Sequence, residues 1–213
     1  MREVRCSGCG AVVPDVSGPV HAYMYAAPGC WALYCGLEDW KASLADQDAP
    51  TLIQHLVDSY AVQHAANPDR RNRQSVGVHL MSLCASLEQG IPGARLRHMI
   101  GTWTGREYPL LVPRPDAYRL TVRDLADAQD RPGLVADMAS AAWMAWSAHH
   151  DQIRAWLTAA TARTRPAPVS AERPELATIM RSPRSGPEAS PNQARPSPTK
   201  PEASPPPART PPR

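Results

Sequence analysis

The segment DAPTLIQHLVDSYAVQHAANPDRRNRQSVGVHLMSLCASLEQG, residues 48–90, decides the fold. Its apolar residues recur at helical spacing in two runs. Asp48 and Pro50 are typical of a helix start, Asn67-Pro68 ends the first run, and the second extends from about Gln74 to Glu88. Because the link between the runs is only seven residues long, we predict two antiparallel helices that pack as neighbours.

The flanking sequence extends this helical pattern. Residues 29–44 predict an aromatic first helix, and residues 132–162 predict the longest helix of the chain. Residues 1–28 are instead punctuated by glycine and proline, which indicates turns and short extended pieces. We therefore expect a mainly α fold, a helical bundle with a small N-terminal Cys-x-x-Cys knuckle or hairpin.

The composition changes sharply near residue 164. Of 24 prolines, 14 fall in residues 164–213, where 8 Lys and Arg face 4 Asp and Glu. The charge of that segment is therefore +4, and residues 1–163, with 15 basic and 16 acidic residues, stand at −1. We predict a helical domain over 1–163, with a metal knuckle in 1–30, followed by a disordered Pro/Arg/Ser-rich tail over 164–213.

Several classes of protein are disfavoured by the same sequence. The sequence contains no run of 18 apolar residues, so it predicts no membrane span. Its N-terminus lacks the apolar region of a signal peptide. We therefore expect a cytoplasmic protein that does not bind membranes. The front domain shows no basic footprint for specific nucleic-acid binding. Phosphate-binding loops, nucleophile elbows and His-Glu-x-x-His are missing, and no reaction can be assigned.

The strongest local signal is Cys6-Ser-Gly-Cys9-Gly10. Two thiolates at this spacing can hold one ion from a tight turn, but they supply only half of a tetrahedral zinc shell. The nearest further donors are His21, Cys30 and Cys35. Cys30 and Cys35 lie about 140° apart around a helix, so both cannot easily face one ion, and we favour Cys30.

A second constellation spans the helical hairpin of residues 48–90. His64 lies in the last turn before the link and His79 in the returning helix, so the two imidazoles are expected to approach one ion or one small ligand. Three neighbouring polar residues are candidates for lining such a ligand site: Tyr60, Gln63 and Gln74.

Three strings of the sequence carry a family resemblance: Cys6-Ser-Gly-Cys9-Gly10, Gly18-Pro-Val-His21-Ala-Tyr23 and Pro28-Gly-Cys30-Trp31. Together with the Gln63-His64 and Gln74-Ser-Val-Gly-Val-His79-Leu80 strings, they resemble an uncharacterised bacterial family, domain-of-unknown-function family 5946. The similarity covers about residues 4–158, and the family brings no established activity.

The resemblance implies that six positions matter, because they match the family's pattern: Cys6, Cys9, His21, Cys30, His64 and His79. Two assignments are open at this stage. Zinc is held by Cys6, Cys9, His21 and Cys30, or else the Cys6–Cys9 pair is completed by His64 and His79.

Three functions remain under consideration. The first is a small zinc-binding helical protein with a structural metal, serving as a binding or regulatory module for an unknown protein or small-molecule partner. The second is a metal-dependent, hydrolase-like enzyme that uses His64 and His79 at an open-shell ion. The third is a thiol redox sensor that uses Cys6 and Cys9.

Overall fold

A computed structural model describes most of the helical domain, namely residues 2–46, 48–65, 68–113 and 118–164. These residues belong to one compact unit, Met1–Val169. The tail predicted to be disordered lies outside the described residues, except for Thr164, which ends the last helix. Within the described ranges, no helix combines the length and the apolar character needed to cross a membrane.

The mainly helical fold with a small N-terminal hairpin is confirmed. Strands β1 (Glu3–Arg5) and β2 (Val12–Pro14) pair antiparallel, with Val4 opposite Val13. The helices that the described residues form are, in chain order, α1 (Pro28–Cys35), α2 (Glu38–Ser43), α3 (Ala49–Gln63), α4 (Arg70–Leu87), α5 (Gly93–Trp103), α6 (Val122–Ala126), α7 (Arg131–Ala145), a 3-10 turn (Ser147–His149) and α8 (His150–Thr164).

The helical hairpin of residues 48–90 is present as α3 and α4, but its second helix starts earlier than expected. The Asp69 carboxylate accepts a hydrogen bond from the backbone N–H of Arg71 at 2.7 Å and thereby caps α4 at Arg70 instead of Gln74. Because α3 also ends early, at Gln63, the link spans six residues, 64–69, instead of seven, and lies nearer the N-terminus than the sequence suggested. This shift determines which residues of α3 and α4 lie opposite each other.

The aromatic helix expected over residues 29–44 is broken into α1 and α2. The backbone N–H of Gly36 bonds the carbonyl of Ala32, and that of Leu37 bonds the carbonyl of Tyr34, which closes a tight turn. Leu37 is buried as a result. Burial of this leucine, together with the glycine before it, accounts for the bend.

The helix expected over residues 132–162 is also interrupted, by the 3-10 turn after Trp146. The His150 ring stacks on Trp143 with centroids 3.7 Å apart, and its Nε2 donates a hydrogen bond to the Trp143 carbonyl at 3.0 Å. The interruption buries Trp146 completely.

The core is arranged around α3, which packs against α4, α5 and α7, while α8 covers α4. One apolar cluster fills the space among α4, α5, α7 and α8. A second lies beneath the N-terminal hairpin and includes Leu56, Leu125 and Met138 together with three cysteines. The hairpin therefore rests on the bundle through its cysteines.

Candidate metal centre

The β1–β2 turn presents the first two cysteines to the bundle. The Cys6 N–H bonds the carbonyl of Ala11 at 2.8 Å, and the Gly10 N–H bonds the carbonyl of Cys6 at 2.9 Å. Gly10 adopts φ of 79°, a left-handed conformation that glycine accepts without strain. The turn is thereby fixed with Cys6 and Cys9 both buried.

Helix α1 supplies the third cysteine. Pro28 lies at its first position, where the missing N–H costs no helical hydrogen bond, and Cys30 follows within the first turn. Cys30 is completely buried. The backbone N–H of Ala27, just before the helix, points at Cys6 Sγ at 3.4 Å, which joins the start of α1 to the knuckle.

The fourth group is His64, at the C-terminal end of α3. Its Nδ1 donates a hydrogen bond to the carbonyl of Tyr60 at 2.6 Å, so the proton of the neutral ring lies on Nδ1 and the lone pair lies on Nε2. Nε2 is 3.5 Å from Cys6 Sγ and 3.4 Å from Cys30 Sγ. The imidazole, which is also fully buried, aims its lone pair at the thiols.

These four side chains converge on one point. Cys9 Sγ lies 3.8 Å from Cys30 Sγ, and the ligand atoms of Cys6, Cys9, Cys30 and His64 all lie within 4.8 Å of one another. Three sulfurs and one imidazole nitrogen in a buried cluster could hold a metal ion. Of the described residues, no other group of three or more His, Cys, Asp or Glu side chains is gathered in this way.

The electrostatics of the cluster suit a cation. Hydrogen bonds from Cys30 and Cys9 hold the pKa of Cys6 far below that of an ordinary thiol, so negative charge collects on its sulfur. Burial alone lowers the pKa of His64, but hydrogen bonds with Cys6 and Cys9 outweigh burial and raise that pKa to about 9. The cluster therefore attracts positive charge, which a proton on His64 or a metal ion can supply.

His21, the fourth ligand in one of the two assignments left open by the sequence, lies outside the cluster. Its ring packs edge-on against Tyr23 and Trp31, with centroids 4.4 and 5.1 Å away. His64 takes its place because the chain after His21 is tied to the end of α3: the Tyr25 N–H bonds the His64 carbonyl at 3.3 Å. Proximity in sequence favoured His21 as the fourth ligand, whereas this tertiary contact places His64 beside the three cysteines.

His79 does not meet His64. Its Nδ1 lies 2.7 Å from an oxygen of the Asp58 carboxylate, in the middle of the α3–α4 interface. An antiparallel hairpin that turns near residue 67 sets position 64 opposite a position near 70, so His79 lies about two and a half helical turns further along α4 than the position facing His64. The earlier start of α4 was the missing signal.

The remaining candidates have different surroundings. The Tyr60 ring packs on His64 with centroids 4.2 Å apart, and Gln63 donates from Nε2 to the Leu120 carbonyl at 2.7 Å. Gln74 is partly buried on α4. Cys35, set aside on helical geometry, is exposed at the end of α1. Of the three proposed lining residues, Tyr60 packs its ring on a cluster ligand.

Comparison with known proteins places the chain in a family without assigning an activity. It belongs to the family of unknown function DUF5946, whose model matches residues 4–147. This range contains the four residues of the cluster and ends near the interruption between α7 and α8. Neither the curated proteins nor the solved structures include a significant match.

Proposed function

We propose that this chain is a small zinc-binding helical protein whose metal is structural. The observation that carries the proposal is the spacing of the donor atoms. Bond lengths near 2.3 Å to sulfur and 2.05 Å to nitrogen place tetrahedral sulfurs about 3.8 Å apart and sulfur about 3.6 Å from nitrogen. The corresponding separations here are 3.8 Å for Cys9–Cys30, 3.5 Å for Cys6–His64 and 3.4 Å for Cys30–His64.

The donor set supports zinc over harder ions. Thiolate sulfur and neutral imidazole suit zinc, while magnesium and calcium are bound by oxygen. All five cysteines are free thiols, and zinc sites of this type need reduced sulfur. This supports a cytoplasmic location.

A structural role follows from the number of ligands. Four protein donors close a tetrahedral zinc shell and leave no position for a substrate or a reactive water. The ion would join the β1–β2 turn, the start of α1 and the end of α3. Since β1 and β2 form a sheet of two three-residue strands, too small to be stable alone, the ion would hold the knuckle on the bundle.

A groove beside the metal cluster supports the role of a binding module. It encloses about 1160 Å³ and is bordered by the Cys6–Cys9 turn. Its lining includes the exposed side chains of Leu110 and Val112 and has a net positive charge, since three arginines outnumber two acidic residues: Arg5, Arg119 and Arg123 against Glu3 and Asp124. Pockets for compact ligands hold roughly 300–1,000 Å³. We therefore favour a segment of a partner protein with apolar and acidic residues as the occupant.

Metal analysis tests the structural proposal. Protein purified under reducing conditions should carry one zinc per chain, and Cys6→Ser and Cys9→Ser should abolish binding. Cys35→Ser and Cys84→Ser are matched controls, since both cysteines lie outside the cluster, and they should retain the ion. A wild-type protein that neither carries nor takes up zinc would refute the proposal.

The groove requires a separate test. Peptides selected from a random displayed library against the zinc-loaded protein should include acidic, apolar sequences whose binding Val112→Asp weakens at least tenfold. Val16→Asp serves as the control, because Val16 is similarly exposed but does not line the groove. Equal weakening by both variants, or none by either, would argue against a binding role for the groove.

No observation favours the two other functions over this one. A hydrolase built on His64 and His79 needs both imidazoles at one ion, but His64 faces Cys6 and Cys30 while His79 contacts Asp58. The sulfurs of Cys6 and Cys9 belong to the same four-residue cluster as His64, an arrangement that suits coordination.

A further inference from the structure

Strand β1 forms an uncovered edge of the N-terminal hairpin. The opposite edge, that of β2, is covered by the start of α1, where Gly29 packs so closely on the Pro14 carbonyl that a Cβ would overlap it. All three residues of β1 are exposed, and β2 is the one described element that packs extensively against this strand. An open strand edge carries backbone groups that can pair with a further strand.

The hydrogen bonds of the hairpin show which backbone groups of β1 point outward. The Cys6 N–H donates across the hairpin at 2.8 Å, and the Arg2 carbonyl accepts across it at 2.9 Å. Because successive residues of an antiparallel strand alternate in direction, Val4 also faces β2, whereas Glu3 and Arg5 direct their N–H and carbonyl groups away from it. No hydrogen bond from the described residues reaches these outward groups.

The sequence Glu3-Val4-Arg5 is complementary to itself in an antiparallel pairing. When two copies meet edge to edge with Val4 on a twofold axis, Glu3 of each copy lies opposite Arg5 of the other. Opposite charges in such cross-strand positions stabilise a sheet, and like charges destabilise it. A shift that set Glu3 opposite Glu3, or Arg5 opposite Arg5, would bring like charges together. The charges of β1 therefore select one register.

The same register satisfies the outward backbone groups. Glu3 and Arg5 then form the hydrogen-bonded pairs, in which two residues exchange both N–H···O bonds, and the two Val4 residues form a non-hydrogen-bonded pair with Cα atoms about 4.5 Å apart. The Val4 side chain is 39% exposed in a single chain, so contact between the two valines removes apolar surface from water. Backbone direction, charge and apolar burial thus agree on one arrangement.

Both charged side chains are available for this contact. Within the described ranges, no ion pair engages the Glu3 carboxylate. Arg5 donates from Nη1 to the Gly10 carbonyl at 2.9 Å, which leaves further N–H donors of its guanidinium for a carboxylate. Charges on a short edge strand usually discourage pairing with other chains. Here their signs favour a second copy of the same strand.

We propose that the protein forms a symmetric dimer in which β1 pairs antiparallel with β1 of a second copy and joins the two-stranded sheets into one continuous sheet. The proposal goes beyond the proposed function, since it needs neither a ligand in the groove nor a particular metal. Because the paired strands are short, the dimer should dissociate on dilution.

Sedimentation equilibrium of the full chain, purified under reducing conditions, tests this interface. The wild type should dimerise at concentrations below about 1 mM. Glu3→Arg and Arg5→Glu should each weaken the dimer about tenfold or more, because each sets like charges opposite each other on both sides of the axis. An equimolar mixture of the two variants should dimerise again, since one variant then supplies two arginines and the other supplies two glutamates.

Amide exchange followed by NMR tests the backbone pairing. As the protein concentration rises, exchange at the Glu3 and Arg5 amides should slow, whereas the Val4 amide, which already faces β2, should change less. Val112→Asp alters the groove and should leave this concentration dependence intact. Protection that Val112→Asp abolishes and Glu3→Arg retains would place the contact in the groove and overturn the proposal.

Asp39→Arg is the control for charge, since Asp39 is an exposed acidic residue on α2, and it should leave the dimer unchanged. A wild type that stays monomeric up to about 1 mM, a dimer that neither charge reversal weakens, or two folded variants that fail to dimerise when mixed would overturn the proposal. Glu3→Arg decides the matter even if Arg5→Glu disturbs the turn at Gly10. Zinc content of each variant shows separately whether the metal cluster is intact.

Discussion

Gly8 packs so closely against His64 that a Cβ at position 8 would overlap the imidazole Cδ2 and the carbonyl oxygen of Tyr25. These groups come from three separate parts of the chain: the β1–β2 turn, the end of α3 and the segment before α1. The lack of a side chain at Gly8 thus allows the Cys-x-x-Cys turn to approach the histidine ligand. The second intervening residue of the Cys-x-x-Cys turn is thus constrained by packing as well as the cysteines.

Gly8→Ala should therefore weaken zinc binding although every ligand is retained. The added methyl group must displace the His64 ring or the backbone at Tyr25, and overpacking of this kind costs about 1–3 kcal/mol. Competition with a chromophoric chelator should show a loss of affinity of about 5- to 150-fold. Gly18→Ala is the control, since a Cβ at Gly18 meets nothing within 4 Å. Equal affinities for the two variants would show that the turn can move away from His64.

Asn72 holds the same region together from α4. Its Nδ2 donates to the carbonyl of Tyr23 at 2.8 Å and to that of His64 at 2.9 Å. Asn72→Ala should lower the free energy of unfolding by about 1–3 kcal/mol, because it removes the Asn72 donor to the Tyr23 carbonyl and one of two donors to the His64 carbonyl, which keeps the Tyr25 N–H. Urea denaturation of the zinc-loaded protein measures the loss. Gln74→Ala, on the same helix and partly exposed, should have little effect, and a loss as large as that of Asn72→Ala would contradict this interpretation.

Much of the helical fold was readable from the sequence because periodicity, caps and stops are local signals. Two of the departures from the predicted helices have a common cause. The bends after Cys35 and at Trp146 depend on the burial of Leu37 and on the stacking of His150 against Trp143. Tertiary packing of this kind leaves no trace in the periodicity of a single helix.

The metal cluster was predicted only in part, because its last ligand also depends on tertiary packing. Cys6 and Cys9 are identified by their spacing, and Cys30 by its position at a helix start. The identity of the fourth ligand depends on whether the segment around Tyr25 folds back on α3. The contact that decides this is the hydrogen bond between Tyr25 and His64, two residues 39 positions apart in the sequence. Spacing alone could not choose between His21 and His64.

His55 should make stability depend on pH. It is buried, its Nε2 lies 2.8 Å from Ser86 Oγ, and burial lowers its pKa below the ordinary value of 6.5, against the opposing charge of Asp58. The unfolded chain therefore binds a proton more readily than the folded one. The contribution of His55 to the free energy of unfolding is fully present above about pH 6.5. It falls as the pH is lowered from there toward the folded-state pKa, by at most about 1.4 kcal/mol per pH unit.

The measurement is urea denaturation between pH 7.5 and about pH 5.5, with wild type compared with His55→Gln at the same zinc concentration. The comparison removes the contribution of zinc release, which both proteins share. The variant should lose less stability over this range. Parallel curves would show that His55 contributes nothing to the pH dependence.

Removal of the metal should loosen the N-terminal part of the fold before the rest. The apolar cluster beneath the knuckle contains Cys6, Cys9 and Cys30, whereas the cluster among α4, α5, α7 and α8 contains none of the ligands. After treatment with a strong chelator, amide hydrogen exchange should rise in the hairpin and in α1, while α4 and α8 keep their protection. Cys84→Ser should respond like the wild type, since Cys84 lies in the cluster among α4, α5, α7 and α8. Uniform loss of protection would mean that the ion stabilises the whole bundle, and unchanged exchange would mean that the knuckle is held on α3 without it.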